Sequence, residues 1–102
     1  MNFDQLSDIL AVEDGVEVAT MMKSPCLRYK GDFMGMMFDK EDCMIVKVSP
    51  ERVKELIDQE IGFEFNYTGK AFKEWVMIPL ELSEDYLGYL QEALTYARLK
   101  KR

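Results

Sequence analysis

The sequence predicts a two-layer α+β domain, with helices packed on one antiparallel sheet. Two observations predict it. Capped helix starts fall at the beginning, middle and end of the chain, and the stretches between them are short apolar runs cut by Gly- or Asp-rich turns. At 102 residues the chain is one domain, because a chain this short builds a single core that buries about 60–65% of its unfolded surface.

The elements follow in order. Asn2 with Gln5 resembles a capping box, and Phe3, Leu6, Ile9 and Leu10 recur at helical spacing, which predicts a first helix over residues 2–12 ended by Asp14-Gly15. Residues 16–22 are a candidate strand. Pro25 weighs against a central strand beyond them, because proline cannot donate to a ladder. Residues 27–29, the turn Lys30-Gly31-Asp32, residues 33–38, the polar turn 39–42 and residues 43–48 read as an antiparallel meander. In the last of these runs Met44, Val46 and Val48 share one face, and Lys47 tips the other toward water.

Ser49-Pro50 marks the second helix, an N-cap serine with proline at the first helical position. Val53, Leu56 and Ile57 form its buried stripe, and Gly62 is its expected stop. Phe63, Phe65 and Tyr67 then alternate with Glu64, Asn66 and Thr68 as a half-buried strand. Thr68-Gly69-Lys70 turns the chain into a strand over residues 75–80. Ser83-Glu84-Asp85 opens the last helix, with Leu87, Leu90, Leu94 and Ala97 inward. The expected order is α-β-β-β-α-β-β-α.

Composition narrows the chemistry. The net charge of −6 disfavours nucleic acid as a partner, since phosphate neutralisation by Lys and Arg supplies most of that affinity. The first 20 residues carry five acids and no base, and the last five carry four bases and no acid. Either these ends attract one another, or the basic end complements a helix C-terminus. The Met-Asn-Phe-Asp start has no basic n-region or apolar run, and no stretch approaches the roughly 20 apolar residues of a membrane span. These features predict a cytoplasmic protein without a membrane partner, in which Cys26 and Cys43 are reduced thiols. The chain has no histidine, the commonest general base and metal ligand. No catalytic residue, metal site or cofactor is therefore assigned, and the chain reads as non-enzymatic.

Eight methionines are many for this length, and Met34, Met36 and Met44 lie in the meander. Methionine fills core gaps and also serves adaptable binding surfaces. Strict alternation along 33–38 sends Phe33 and Met37 one way and Met34, Met36 and Phe38 the other, so both faces are apolar. A single helix layer covers only one, which leaves Met34, Met36 and Phe38 as a candidate contact with a second copy or a protein partner. Tyr89 and Tyr96, seven apart on the last helix, are a second candidate contact. Lys47, Lys70 and Lys73 with Trp75 form a candidate anion or ligand patch, against the alternative that these lysines are simply solvated.

The stretches Val46-Lys47-Val48-Ser49-Pro50-Glu51 and Tyr67-Thr68-Gly69-Lys70-Ala71-Phe72-Lys73-Glu74-Trp75-Val76, with the closing helix from Ser83 to Arg98, resemble the TfoX N-terminal domain family. The resemblance covers residues 21–98, with Met21-Met22-Lys23-Ser24 standing where that family carries Met-Phe-Gly-Gly. It implies a secretion-chaperone-like two-layer fold, a stand-alone domain, and a regulatory role exerted through protein contacts, as a homodimer or with another protein. The alternative is a small-ligand-binding protein or an enzyme with a Met- and aromatic-lined pocket.

Overall fold

Asn2 accepts a hydrogen bond from the Gln5 amide at 2.9 Å, and the Gln5 carboxamide accepts one from the Asn2 amide at 3.0 Å. This reciprocal box starts helix α1 (Phe3–Leu10), which turns Phe3, Leu6 and Leu10 into the core. The computed structural model describes residues 2–21, 23–67 and 69–101, and excludes the side chains of Tyr67, Lys70 and Ala71. After α1 come strands β1 (Val16–Met21), β2 (Ser24–Tyr29), β3 (Asp32–Phe38) and β4 (Cys43–Lys47), then helix α2 (Pro50–Asp58). Strands β5 (Phe63–Tyr67) and β6 (Lys70–Pro79) and helix α3 (Tyr86–Lys100) complete the fold.

The six strands form one antiparallel sheet in the order β1-β2-β3-β4-β6-β5. The two-layer α+β class is as expected, with four strands rather than three before α2. The strand beyond that count is β1, on the candidate stretch 16–22, and β2 begins at Ser24, ahead of the expected 27–29 and through Pro25. The Lys30 amide donates to the Gly15 carbonyl at 2.9 Å, so in the unbroken β1–β2 register 17/28, 19/26 and 21/24 are the hydrogen-bonded pairs. Pro25, opposite Thr20, falls on a non-bonded pair, where an N–H would point toward β3. The β2–β3 ladder begins only at Cys26–Met36, so the missing donor costs the sheet nothing.

One helix face covers one side of this sheet. Leu27, Met34, Met44, Val46, Val76 and Ile78 from the strands meet Leu6, Leu56, Leu90 and Leu94 from the helices. Gly35 lets α3 pack close on β3, since a Cβ there would lie 2.7 Å from Leu90 Cδ2 and 3.1 Å from the Ile45 carbonyl. No helix among the described residues is long and apolar enough to cross a membrane.

Two helix ends differ from expectation. α2 starts as the sequence indicates, with Ser49 Oγ accepting from the Arg52 amide at 3.1 Å and Pro50 following. Its end is set by Glu60 and not by Gly62. Glu60 takes the left-handed turn (φ 61°), its amide donates to the Ile57 carbonyl at 3.0 Å, and the Ile61 amide donates to Leu56 at 2.9 Å. Gly62 is required for space, because a Cβ would meet Val76 Cγ2 at 2.5 Å. Ser83 does not cap α3. Residues Leu80–Asp85 form a 3-10 turn, and the helix begins at Tyr86, whose hydroxyl donates to the Ile78 carbonyl at 2.8 Å.

The basic end of α3 reaches three separate elements. Arg98 pairs with Glu13 at 3.1 Å, Lys100 with Glu74 at 2.9 Å and Lys101 with Asp32 at 3.5 Å. The acidic beginning and basic end of the chain thus meet at Arg98–Glu13.

Candidate interaction surface

The face away from the helices holds a second apolar cluster: Cys26, Phe33, Met36, Ile45 and Phe65, with Phe38, Phe72, Trp75 and Met77 packed on it. Two irregularities in the strands assemble it. Leu27 pairs with Gly35, but Arg28 pairs with Phe33, so Met34 is an extra residue in β3. That bulge resets the alternation. Phe33, Met36 and Phe38 therefore share the open face, while Met34 and Met37 turn toward the helices. In β6, Val76 pairs with Glu64 and Ala71 with Asn66, so the stretch 72–75 lies against Phe65 alone. Phe72 and Trp75 thereby reach the same side despite being three residues apart.

The rings form a continuous layer. Trp75 stacks on Phe33 at 4.5 Å and on Phe72 at 4.9 Å, and Phe65 lies 5.3 Å from both Trp75 and Phe72. Phe38 of β3 contacts Phe65 of β5 edge to face at 5.9 Å, although β4 and β6 lie between those strands. On a flat sheet three strand spacings amount to about 14 Å. The sheet therefore curls toward this face, and its own aromatic side chains close over Cys26, Met36 and Ile45, which are fully buried. No second helix layer is needed to bury the middle of this face.

This geometry corrects the expected contact set. Met34 belongs to the helix-covered core and is fully buried. Met36 sits under the aromatic layer, and only Phe38 of the three is partly accessible. Tyr89 and Tyr96 lie on α3, on the opposite side of the sheet from Phe38. Tyr89 packs against the main core. The Tyr96 hydroxyl donates to Glu74 Oε2, and Lys100 Nζ sits 5.3 Å from the Tyr96 ring centroid.

The lysine patch divides as well. Lys47 is the cross-strand partner of Trp75 and sits on the aromatic face. Lys73 is exposed and lines a separate recess with Lys54, Ile57, Glu64 and Phe72. The Lys70 side chain lies outside the described residues. Phe65 and Phe72 were not singled out as site residues from sequence; the signal available was the aromatic alternation of 63–67 and the aromatic content of 72–75.

Electrostatics concentrate at the edge of α3. Burial works to raise the Glu74 carboxyl, but the bonds from Tyr96 and Lys100 hold it below the usual carboxylate value. Burial and the Glu74 carboxylate raise the Tyr96 hydroxyl in turn. Nearby, Arg52 forks onto Glu92 (Nε to Oε1 2.7 Å, Nη2 to Oε2 3.2 Å), tying α2 to α3. Between these helices runs an open groove of about 660 Å³ lined by Val48, Arg52, Glu92, Tyr96 and Leu99. On the aromatic face the corresponding recess is about 310 Å³, bounded by Cys43, Phe63, Met77 and Pro79. Burial, then Glu41 and Asp42, push the Cys43 thiol up to about 11, so it is a neutral, weakly nucleophilic group at pH 7. Among the described residues no three Cys, Asp or Glu side chains converge as a metal site.

No family model, no curated protein and no solved structure matches the chain.

Proposed function

We propose that the protein is a non-enzymatic interaction module of a regulatory kind, similar to the TfoX N-terminal type, that binds an apolar segment of a protein partner in the cytoplasm. The observation that carries this is the outer surface of the aromatic layer. Phe38, Phe72, Trp75 and Met77 are only half-buried there, and Phe63 beside Met77 is 58% exposed. Aromatic residues and Met are the types enriched in the cores of protein interfaces. A protein fits this surface better than nucleic acid, because the chain carries −6 net charge and Lys47 on this face lies within the field of Glu74. The sequence motifs support the TfoX-like reading: their strand-to-helix junction and hairpin fall on β4–α2 and β5–β6.

A second reading, small-ligand binding, is favoured by the groove between α2 and α3, which has room for a ligand and a hydroxyl–carboxylate–ammonium cluster at one end. Native mass spectrometry on protein captured from its host lysate separates the two. The expected result is a heavier complex for the wild type that disappears in Phe63→Glu. A complex indifferent to that substitution, or a bare monomer, overturns the aromatic-face reading. A monomer with a reproducible small added mass favours the groove.

A further inference from the structure

Strand β1 is one edge of the sheet, paired only to β2. The alternation fixed by the Gly15–Lys30 bond leaves the backbone groups of Val16, Val18 and Thr20 pointing away from β2. Val18, at the middle of the strand, is 57% exposed. Natural edge strands are blunted by Lys, Pro or a bulge; β1 contains none of them, and its register with β2 is unbroken. Its one charge, Glu17, is exposed and held back from the edge over the β2–β3 turn, where Oε1 accepts from the Gly31 amide at 2.9 Å.

We infer that β1 pairs with β1 of a second copy, antiparallel about a two-fold axis through Val18, to give one continuous sheet. Only registers that oppose outward-facing residues make ladder bonds. Shifting the centre to Glu17 sets Glu17 against the partner's Glu17, a like-charge pair that destabilises. Centring on Val18 opposes Glu17 to the partner's Ala19, buries Val18 against the partner's Val18, and overlaps residues 16–20 of both strands. The Val16 amide already donates to Glu13 at 3.2 Å. The bonds are therefore a reciprocal pair across Val18 and one from each Thr20 amide to the partner's Val16 carbonyl.

The ends of the strand favour a second copy over any other occupant. Glu13 and Asp14 precede β1, and Lys23 follows it in the hairpin. The register centred on Val18 sets the partner's Met21 opposite Gly15, so the turn that carries Glu13 and Asp14 adjoins the partner's hairpin turn with Lys23, once on each side of the axis. Asp14 and Lys23 are exposed and form no ion pair among the described residues. Joined in this way, the two subunits keep their helices on one side and both aromatic faces on the other, so the pairing does not compete with the partner surface proposed above.

The test is sedimentation velocity from micromolar to near-millimolar protein. The wild type is expected to show a monomer–dimer equilibrium. Val18→Lys sets two like charges across the axis and weakens it by at least about tenfold; the residue is exposed, and unchanged far-UV circular dichroism checks the fold. Asp14→Lys and Lys23→Asp each weaken the dimer, and the double variant D14K/K23D restores it. A wild-type monomer throughout overturns the inference, as does a dimer that survives Val18→Lys. If Phe63→Glu removes the dimer and Val18→Lys does not, the contact is the aromatic face. Loss with Val18→Lys alone leaves the reading of that face intact.

Discussion

Two buried residues contribute to how the fold responds to alkali. Burial, and after it the neighbouring Cys43, raise the Tyr86 hydroxyl to about 12, and the Cys43 thiol stands at about 11. In an unfolded chain these groups lose their protons near about 8.5 for Cys and about 10 for Tyr. Between those values and the folded ones the native state binds more protons than the unfolded state, so stability falls as pH rises. The contribution is fully present below about pH 8.5 and is lost as pH climbs through 11 toward 12. Urea midpoints measured from pH 7 upward are expected to decline across that window, with Cys43→Ala removing the earlier part of the decline. A midpoint that stays flat would show that burial does not perturb these groups. Glu74 works in the opposite sense: its carboxyl is lowered, so its contribution is present above the usual carboxylate range and is lost in acid.

At the scale of elements, the left-handed Glu60 is a local compromise. A non-glycine residue at φ 61° is strained where glycine is not. Glu60→Gly is expected to stabilise the protein by about 0.5–1 kcal/mol, read as an increase in urea midpoint without a change in slope. Loss of stability would mean that the Glu60 side chain contributes more than its backbone costs. This end of α2 also shows what the sequence could convey. Starts that depend on neighbours within four residues were legible: the Asn2–Gln5 box and Ser49-Pro50 both form as their spacing requires. The stop at Gly62 and the cap at Ser83 were misread because tertiary contacts decide both. Gly62 is selected by the approach of Val76, and the path into α3 is fixed by Tyr86 reaching back to Ile78. The site was less legible for the same reason. Period two predicts faces only while the register is unbroken, and the bulge at Met34 and the 72–75 stretch of β6 each break it. Phe33 and Met36 consequently share a face that strict alternation divides between two. The β4–β6 pairing, which brings Lys47 to Trp75, joins strands separated by α2 and β5 and has no local signature.

The molecule as a whole solves a problem common to small two-layer folds, the apolar side of the sheet that the helices do not reach. Here the sheet curls, and aromatic rings from β3, β5 and β6 close over it. That solution makes a distinction within one strand. Phe65 and Phe63 are two residues apart in β5 and face the same side, yet Phe65 is buried beneath the ring layer and Phe63 is 58% exposed at its margin. If the layer is a genuine second core, Phe65→Ala should cost about 3–4 kcal/mol, as for any large ring removed from a packed interior. Phe63→Ala should change stability by less than about 0.5 kcal/mol, as at ordinary surface positions. Chemical denaturation of the two variants measures both. A small cost at Phe65 would mean that the rings only rest on the sheet and that another molecule completes this side in the working state. A large cost at Phe65 with none at Phe63 would make the layer self-sufficient, and would confine any partner to its outer surface, where Phe63 and Met77 meet.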